Sequence, residues 1–108
     1  MEDRLQIAEC AQRLKSVADP ERLKIIQCLQ GGPKTVSALA ELLDAPLANV
    51  SHHLRVLSHA ELVGYEKQGR CVVYSLDADA FPSEGARRPG HILDLGCCRL
   101  DLGPKPGA

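Results

Sequence analysis

The chain has 108 residues, 44% hydrophobic and 25% charged, which suits one small globular domain and excludes wholesale disorder. Thirteen Lys and Arg against fourteen Asp and Glu give a net charge of −1, so a nucleic-acid partner would have to be recognised by local arrangement rather than a global field. No apolar run reaches the roughly 18 residues of a membrane span. Met1-Glu2-Asp3-Arg4 also lacks the basic start of a signal peptide, so a cytoplasmic protein with no membrane partner is expected. The three aromatics, Tyr65, Tyr74 and Phe81, are too few for single-strand base stacking. Five cysteines, an odd number, argue against a disulfide framework and for reduced thiols used in the core or as ligands.

Residues 4–17 read as an amphipathic helix with Leu5, Ala8, Leu14 and Val17 near helical spacing. Asp19-Pro20-Glu21 is a helix start: a capping carboxylate, a proline for the first helical position and an acid for the positive helix end. That helix carries Leu23, Ile26 and Leu29 and stops at Gly31-Gly32-Pro33. Thr35 caps a two-turn helix bearing Val36, Leu39, Ala40, Leu42 and Leu43, which yields to Asp44-Ala45-Pro46. A further helix from about Leu47 to Ala60 buries Val50, Leu54 and Leu57.

Two short helices joined by a tight turn, the second polar on one side, make a helix-turn-helix pattern. Residues 62–66 and 71–76 are β-rich runs on either side of Lys67-Gln68-Gly69-Arg70, a basic turn, and read as a hairpin. The expected fold is therefore α+β: a winged helix-turn-helix over residues 1–81, mainly helical with a two-stranded wing. Residues 82–108 hold four of the seven prolines and five of the nine glycines and form a tail without a long helix. Within it, residues 91–97 alternate at strand period, and the phase then slips to Cys98, Leu100 and Leu102. An extra strand with a bulge at Cys97-Cys98 absorbs that slip.

A helix fits the major groove, where base edges carry a full donor and acceptor code. Asn49, Ser51, His52, His53 and Arg55 supply hydrogen-bonding groups on the second helix. Ser37, Lys67 and Arg70 would meet the DNA backbone. One competing reading is a solvated helix face and a charged turn, as in most small α+β domains, and another is a protein-interaction module that has lost DNA contact.

Three segments carry a family resemblance. Lys15-Ser16-Val17-Ala18-Asp19-Pro20-Glu21-Arg22-Leu23-Lys24-Ile25-Ile26 is similar to the second-helix signature of ArsR/SmtB-type repressors. Val50-Ser51-His52-His53-Leu54-Arg55-Val56-Leu57 followed by Ala60-Glu61-Leu62-Val63 resembles their recognition helix, and Gln68-Gly69-Arg70 with Val73-Tyr74-Ser75-Leu76 resembles their wing. The resemblance covers residues 5–77. It implies a homodimer on double-stranded operator DNA, released by an effector that is usually a metal or metalloid ion. The chain departs from the pattern where the family's two familiar metal sites lie. The third helix has no cysteine, and Asp77 and Asp79 are followed by the Pro- and Gly-rich tail. Glu61 also stands where the family usually has glycine.

Cys97-Cys98, a vicinal pair in the tail, then draws attention, because thiolates are soft ligands for As(III), Cd(II) or Zn(II). A pyramidal three-thiolate site suits As(III), with Cys10 or Cys71 as the third ligand, from the same or the other subunit, and His91 as a fourth group at hand. No obligatory cofactor is implied. A thiol-redox role and a packing role for the pair are the alternatives. Cys28 belongs with the apolar residues of its helix. Residues 92–98 are also similar to the first motif of S-adenosylmethionine-dependent methyltransferases. Cys98 occupies the first critical glycine position there, and no doubly wound sheet can follow in ten residues, so an enzyme is not expected.

Overall fold

The computed structural model describes residues 2–82 and 92–102, with side chains from residue 6 onward. Helices α1 (Glu2–Val17) and α2 (Pro20–Leu29) are followed by a short strand β1 (Lys34–Thr35). Helices α3 (Val36–Leu43) and α4 (Leu47–His59) then precede the hairpin β2 (Val63–Gln68) and β3 (Cys71–Leu76). A second hairpin, β4 (Ile92–Asp94) and β5 (Arg99–Asp101), closes the described chain. Among the described residues no helix is long and apolar enough to cross a membrane.

Local chemistry sets the helix starts. Asp19 adopts an extended backbone, and its Oδ2 accepts from the N–H groups of Glu21 and Arg22, both at 3.0 Å, while Pro20 takes the first helical position. The bond from the Arg22 N–H, helped by the Arg22 charge and the Glu21 N–H, holds the Asp19 carboxyl below its usual range. Thr35 caps α3 by accepting from the Ala38 N–H at 3.1 Å.

The helix-turn-helix corner closes without glycine. Asp44 takes the left-handed conformation at φ 50°, and the Ala45 N–H reaches back to Ala40 O at 3.0 Å. Helix α4 ends the same way, with Glu61 at φ 61° and the Leu62 N–H on Leu57 O at 3.0 Å. Glu61 thus does the work of the glycine it replaces.

The core is one cluster. Ile25 and Ile26 of α2, Leu39 of α3, and Val50, Leu54 and Leu57 of α4 are fully buried with Leu62 below them. Each such side chain contributes about 1.5–3 kcal/mol by leaving water. Helix α1 turns Cys10 and Val17 inward, with Leu14 half-buried, whereas Ala8 and Ile7 lie exposed. The inward face is therefore the 10-14-17 stripe rather than one running through Ala8.

Three features differ from the sequence expectation. Lys34 and Thr35 form an additional strand on β3, giving a three-stranded antiparallel sheet in the order β1-β3-β2. The wing strands run closer to the tip, Gln68 pairing with Cys71, so Lys67 and Gln68 are strand residues. Gly69 at φ 64° leads a two-residue turn of the kind that joins twisted strands. Lastly, the phase slip in the tail is a reversal of chain direction and not a bulge. β4 and β5 pair antiparallel, Leu93 opposite Leu100. Gly96 at φ 88° permits the turn, the Gly96 N–H donates to Asp94 Oδ1 at 2.9 Å, and the Leu95 N–H donates to Cys98 O at 2.9 Å. Leu93 and Leu95 belong to the same core as α2–α4, so this part of the tail is packed. It is attached where Asp77 caps one helical turn, accepting from the N–H groups of Asp79 and Ala80. Pro82 follows that turn, and the Asp94 N–H donates to Ala80 O at 2.7 Å.

Candidate functional site

Helix α4 has two faces. Val50, Leu54 and Leu57 pin one to the core, which leaves Ala48, Asn49, His52, Arg55 and His59 exposed on the other, with Ser51 half-buried at its edge. Lys67 and Arg70 are exposed on the wing, and Ser37 is exposed in the first turn of α3. Leu47, 53% exposed at the first position of α4, was not among the expected contacts. An apolar side chain at that end suits thymine methyl groups, because the start of a recognition helix is what meets base edges.

His53 is directed differently from its neighbours. Its side chain is 16% exposed, with Nδ1 3.2 Å from an Arg22 guanidinium nitrogen and Nε2 3.2 Å from Glu21 Oε2. A guanidinium can only donate, so Nδ1 accepts, and a neutral ring then carries its proton on Nε2, the nitrogen that lies beside the Glu21 carboxylate. The ring is thereby committed to α2 and is held off the exposed face.

Two arginines connect α1 to this assembly, and neither stood out in the sequence. Arg13 Nε donates to Ala60 O, at the end of α4, at 2.9 Å. Arg22 Nε donates to Ser16 O in the last turn of α1, while its other end holds His53. Helix α1 is therefore fastened to α4 at two points.

The cysteines divide clearly. Cys28 packs half-buried against the core and Cys71 is exposed at the start of β3. Cys10 from α1 and Cys97 and Cys98 from the β4–β5 turn converge, with all three Sγ atoms within 4.8 Å of one another. Sulfurs bonded at about 2.3 Å to one ion in a pyramidal or tetrahedral arrangement lie about 3.5–3.8 Å apart, so one soft ion would bridge the three after reduction and a small inward movement of the turn. His91 lies outside the described residues. Cys10 and Cys97 are joined as a disulfide with their Cα atoms 6.3 Å apart, and Cys98 Sγ is 3.8 Å from Cys10 Sγ. That bond departs from the expectation of wholly reduced thiols. The odd cysteine count does not prevent it, because the fold brings two distant residues to disulfide separation and leaves the third free. A cleft of about 240 Å³ opens beside the cluster, between Gln6, Glu9 and Arg13 of α1 and Leu95 and Gly96 of the turn.

The site can be compared with known proteins. A helix-turn-helix domain family model matches residues 17–64. The transcriptional repressor SdpR of Bacillus subtilis is 36% identical over 63 residues, which cover 58% of this chain and 70% of that one. The regulator NmtR of Mycobacterium tuberculosis is 44% identical over 69 residues, covering 64% of this chain and 58% of the relative, so the chain spans little more than half of that protein. Among solved structures, the homodimeric winged helix-turn-helix DNA-binding domain of a possible ArsR-family transcriptional regulator from Mycobacterium bovis superposes with a TM-score of 0.68 at 25% identity, covering 71% of each chain. With the capped second helix, the exposed α4 face and the wing in these positions, the chain belongs to the ArsR/SmtB family of winged helix-turn-helix transcriptional regulators, which are not enzymes.

Proposed function

We propose that the protein is a homodimeric, cytoplasmic repressor that binds double-stranded operator DNA and leaves it when a thiophilic ion, As(III) ahead of Cd(II) or Zn(II), is held by Cys10, Cys97 and Cys98. The convergence of three sulfurs from α1 and the β4–β5 turn carries this reading. Three thiolates and a pyramidal geometry suit As(III), whereas Zn(II) and Cd(II) favour a fourth ligand. Asn49, Ser51, His52 and Arg55 read base edges, Leu47 meets thymine methyl groups, and Ser37, Lys67 and Arg70 meet the backbone. His53 acts by positioning α4. Exposed Ile7, Ala8 and Ala11 on α1 suit contact with a second copy.

The ion would supply a link between α1 and the tail hairpin. Any displacement of α1 reaches α4 through Arg13 and Arg22 and alters how the two recognition helices of a dimer span half-sites about 34–36 Å apart. Release requires the ion to bind the DNA-free conformation more tightly.

The test is a gel shift with reduced protein on its own promoter at low salt, titrated with As(III), Cd(II) and Zn(II). Wild type should bind and then dissociate, most readily with As(III). Cys97→Ser/Cys98→Ser should bind equally well and ignore the ions. A double variant that still dissociates moves the sensor elsewhere, and a blank gel favours a protein-interaction module.

A further inference from the structure

The same three sulfurs differ in access. Cys10 is 3% exposed, Cys98 is half-buried, and Cys97 is open to solvent. The vicinal pair is poorly placed to close on itself, since consecutive Cα atoms lie about 3.8 Å apart and disulfides want about 4.4–6.8 Å. Cys10 and Cys97, at 6.3 Å, lie inside that range and are joined. In a reducing compartment such a bond is characteristically transient and used for sensing.

We propose that the cluster is also a thiol–disulfide switch, in which a peroxide-class oxidant joins Cys10 to Cys97 and so closes the site to the ion. This rests on the ion-binding reading above. The exposed Cys97 thiolate attacks the peroxide, forming an S–O bond as the O–O bond breaks and hydroxide leaves, to be protonated to water. The Cys10 thiolate then attacks the Cys97 sulfur, the S–S bond forms, the S–O bond breaks, and a second hydroxide leaves as water. The two thiols give up two electrons and two protons, and the peroxide is reduced to two waters. Two of the three donors are then no longer thiolates. Cys98 remains a thiol 3.8 Å from Cys10 and takes no part in the disulfide.

The experiment treats reduced full-length protein with hydrogen peroxide, alkylates the remaining thiols, maps disulfides by mass spectrometry and follows As(III) uptake throughout. The switch requires one intramolecular Cys10–Cys97 link, Cys98 alkylated, uptake lost on oxidation and uptake regained after a phosphine reductant. Cys98→Ser separates the two roles: it should lose uptake yet still form the link. A Cys97–Cys98 link, a Cys98→Ser protein that forms no Cys10–Cys97 link, or an oxidised wild type that still takes up As(III) overturns the switch alone. Reduced wild type that takes up no As(III) instead overturns the ion reading, whatever the disulfide map shows.

Discussion

At Glu61 a side chain occupies backbone that favours glycine. With φ at 61°, the Cβ crowds the following carbonyl, a strain of about 1–2 kcal/mol for an L-residue. The bond from the Leu62 N–H to Leu57 O and the fully buried Leu62 side chain hold the residue there. Glu61→Gly removes the strain but raises the entropy of the unfolded chain by about 0.5–1 kcal/mol, so a net gain of about 0.5–1 kcal/mol is expected. Urea denaturation should show a higher midpoint at unchanged slope. Asp44→Gly should gain less, because aspartate tolerates the left-handed region. A Glu61→Gly protein no more stable than wild type would mean that the Glu61 side chain makes up the strain through its own contacts.

The elements differ in how far the sequence announces them, and their caps explain much of it. Asp19 and Thr35 act within three residues, so α2 and α3 begin where the sequence says. Asp19→Ala leaves two backbone donors without their partner and should cost about 1 kcal/mol. The sign of its pH dependence follows from the lowered pKa. The stabilisation is present above the unfolded value of about 3.9 and is lost as pH falls through the folded one, so wild-type and Asp19→Ala stabilities converge below the ordinary carboxylate range. Urea midpoints measured from neutral pH downward check this, and a gap that persists at the lowest pH argues against the cap. By contrast, β1 is two residues long and exists only because β3 lies beside it, so no alternation could reveal it. The tail strands are legible as apolar alternation, but a slipped phase fits a bulge or a reversal equally, and only packing against the core decides. The candidate site shows the same division. The exposed face of α4 follows from helical spacing, whereas the choice of Cys10 over Cys71 depends on bringing residues 87 apart in sequence together. His53 lies within the recognition motif, yet its ring turns inward to Arg22 and Glu21, which spacing alone does not encode.

At the scale of the molecule, the proposed ion response requires the thiol cluster to influence α4, which supplies none of its three sulfurs. Cys10 and Arg13 are neighbours on α1, one helical turn apart, the first in the sulfur cluster and the second on the carbonyl that ends α4. A shift of α1 imposed at Cys10 therefore reaches the end of the recognition helix through one charged hydrogen bond, with Arg22 as the second fastening. Removing Arg13 leaves every proposed base and backbone contact in place, so Arg13→Ala should bind operator DNA within a few-fold of wild type. It should also keep its As(III) affinity in the absence of DNA, since the three cysteines are untouched. What should fall is the coupling between the two events. Switches of this kind carry about 1–3 kcal/mol, a factor of about 5–150 in DNA affinity, and the variant should lose much of that factor. Fluorescence anisotropy on labelled operator, with and without saturating As(III), measures it directly, and Arg13→Lys, which retains a donor of similar reach, should recover part. A full response in Arg13→Ala would assign the coupling to Arg22 or to the dimer interface. Equal loss of DNA binding with and without ion would make Arg13 a structural brace for α4.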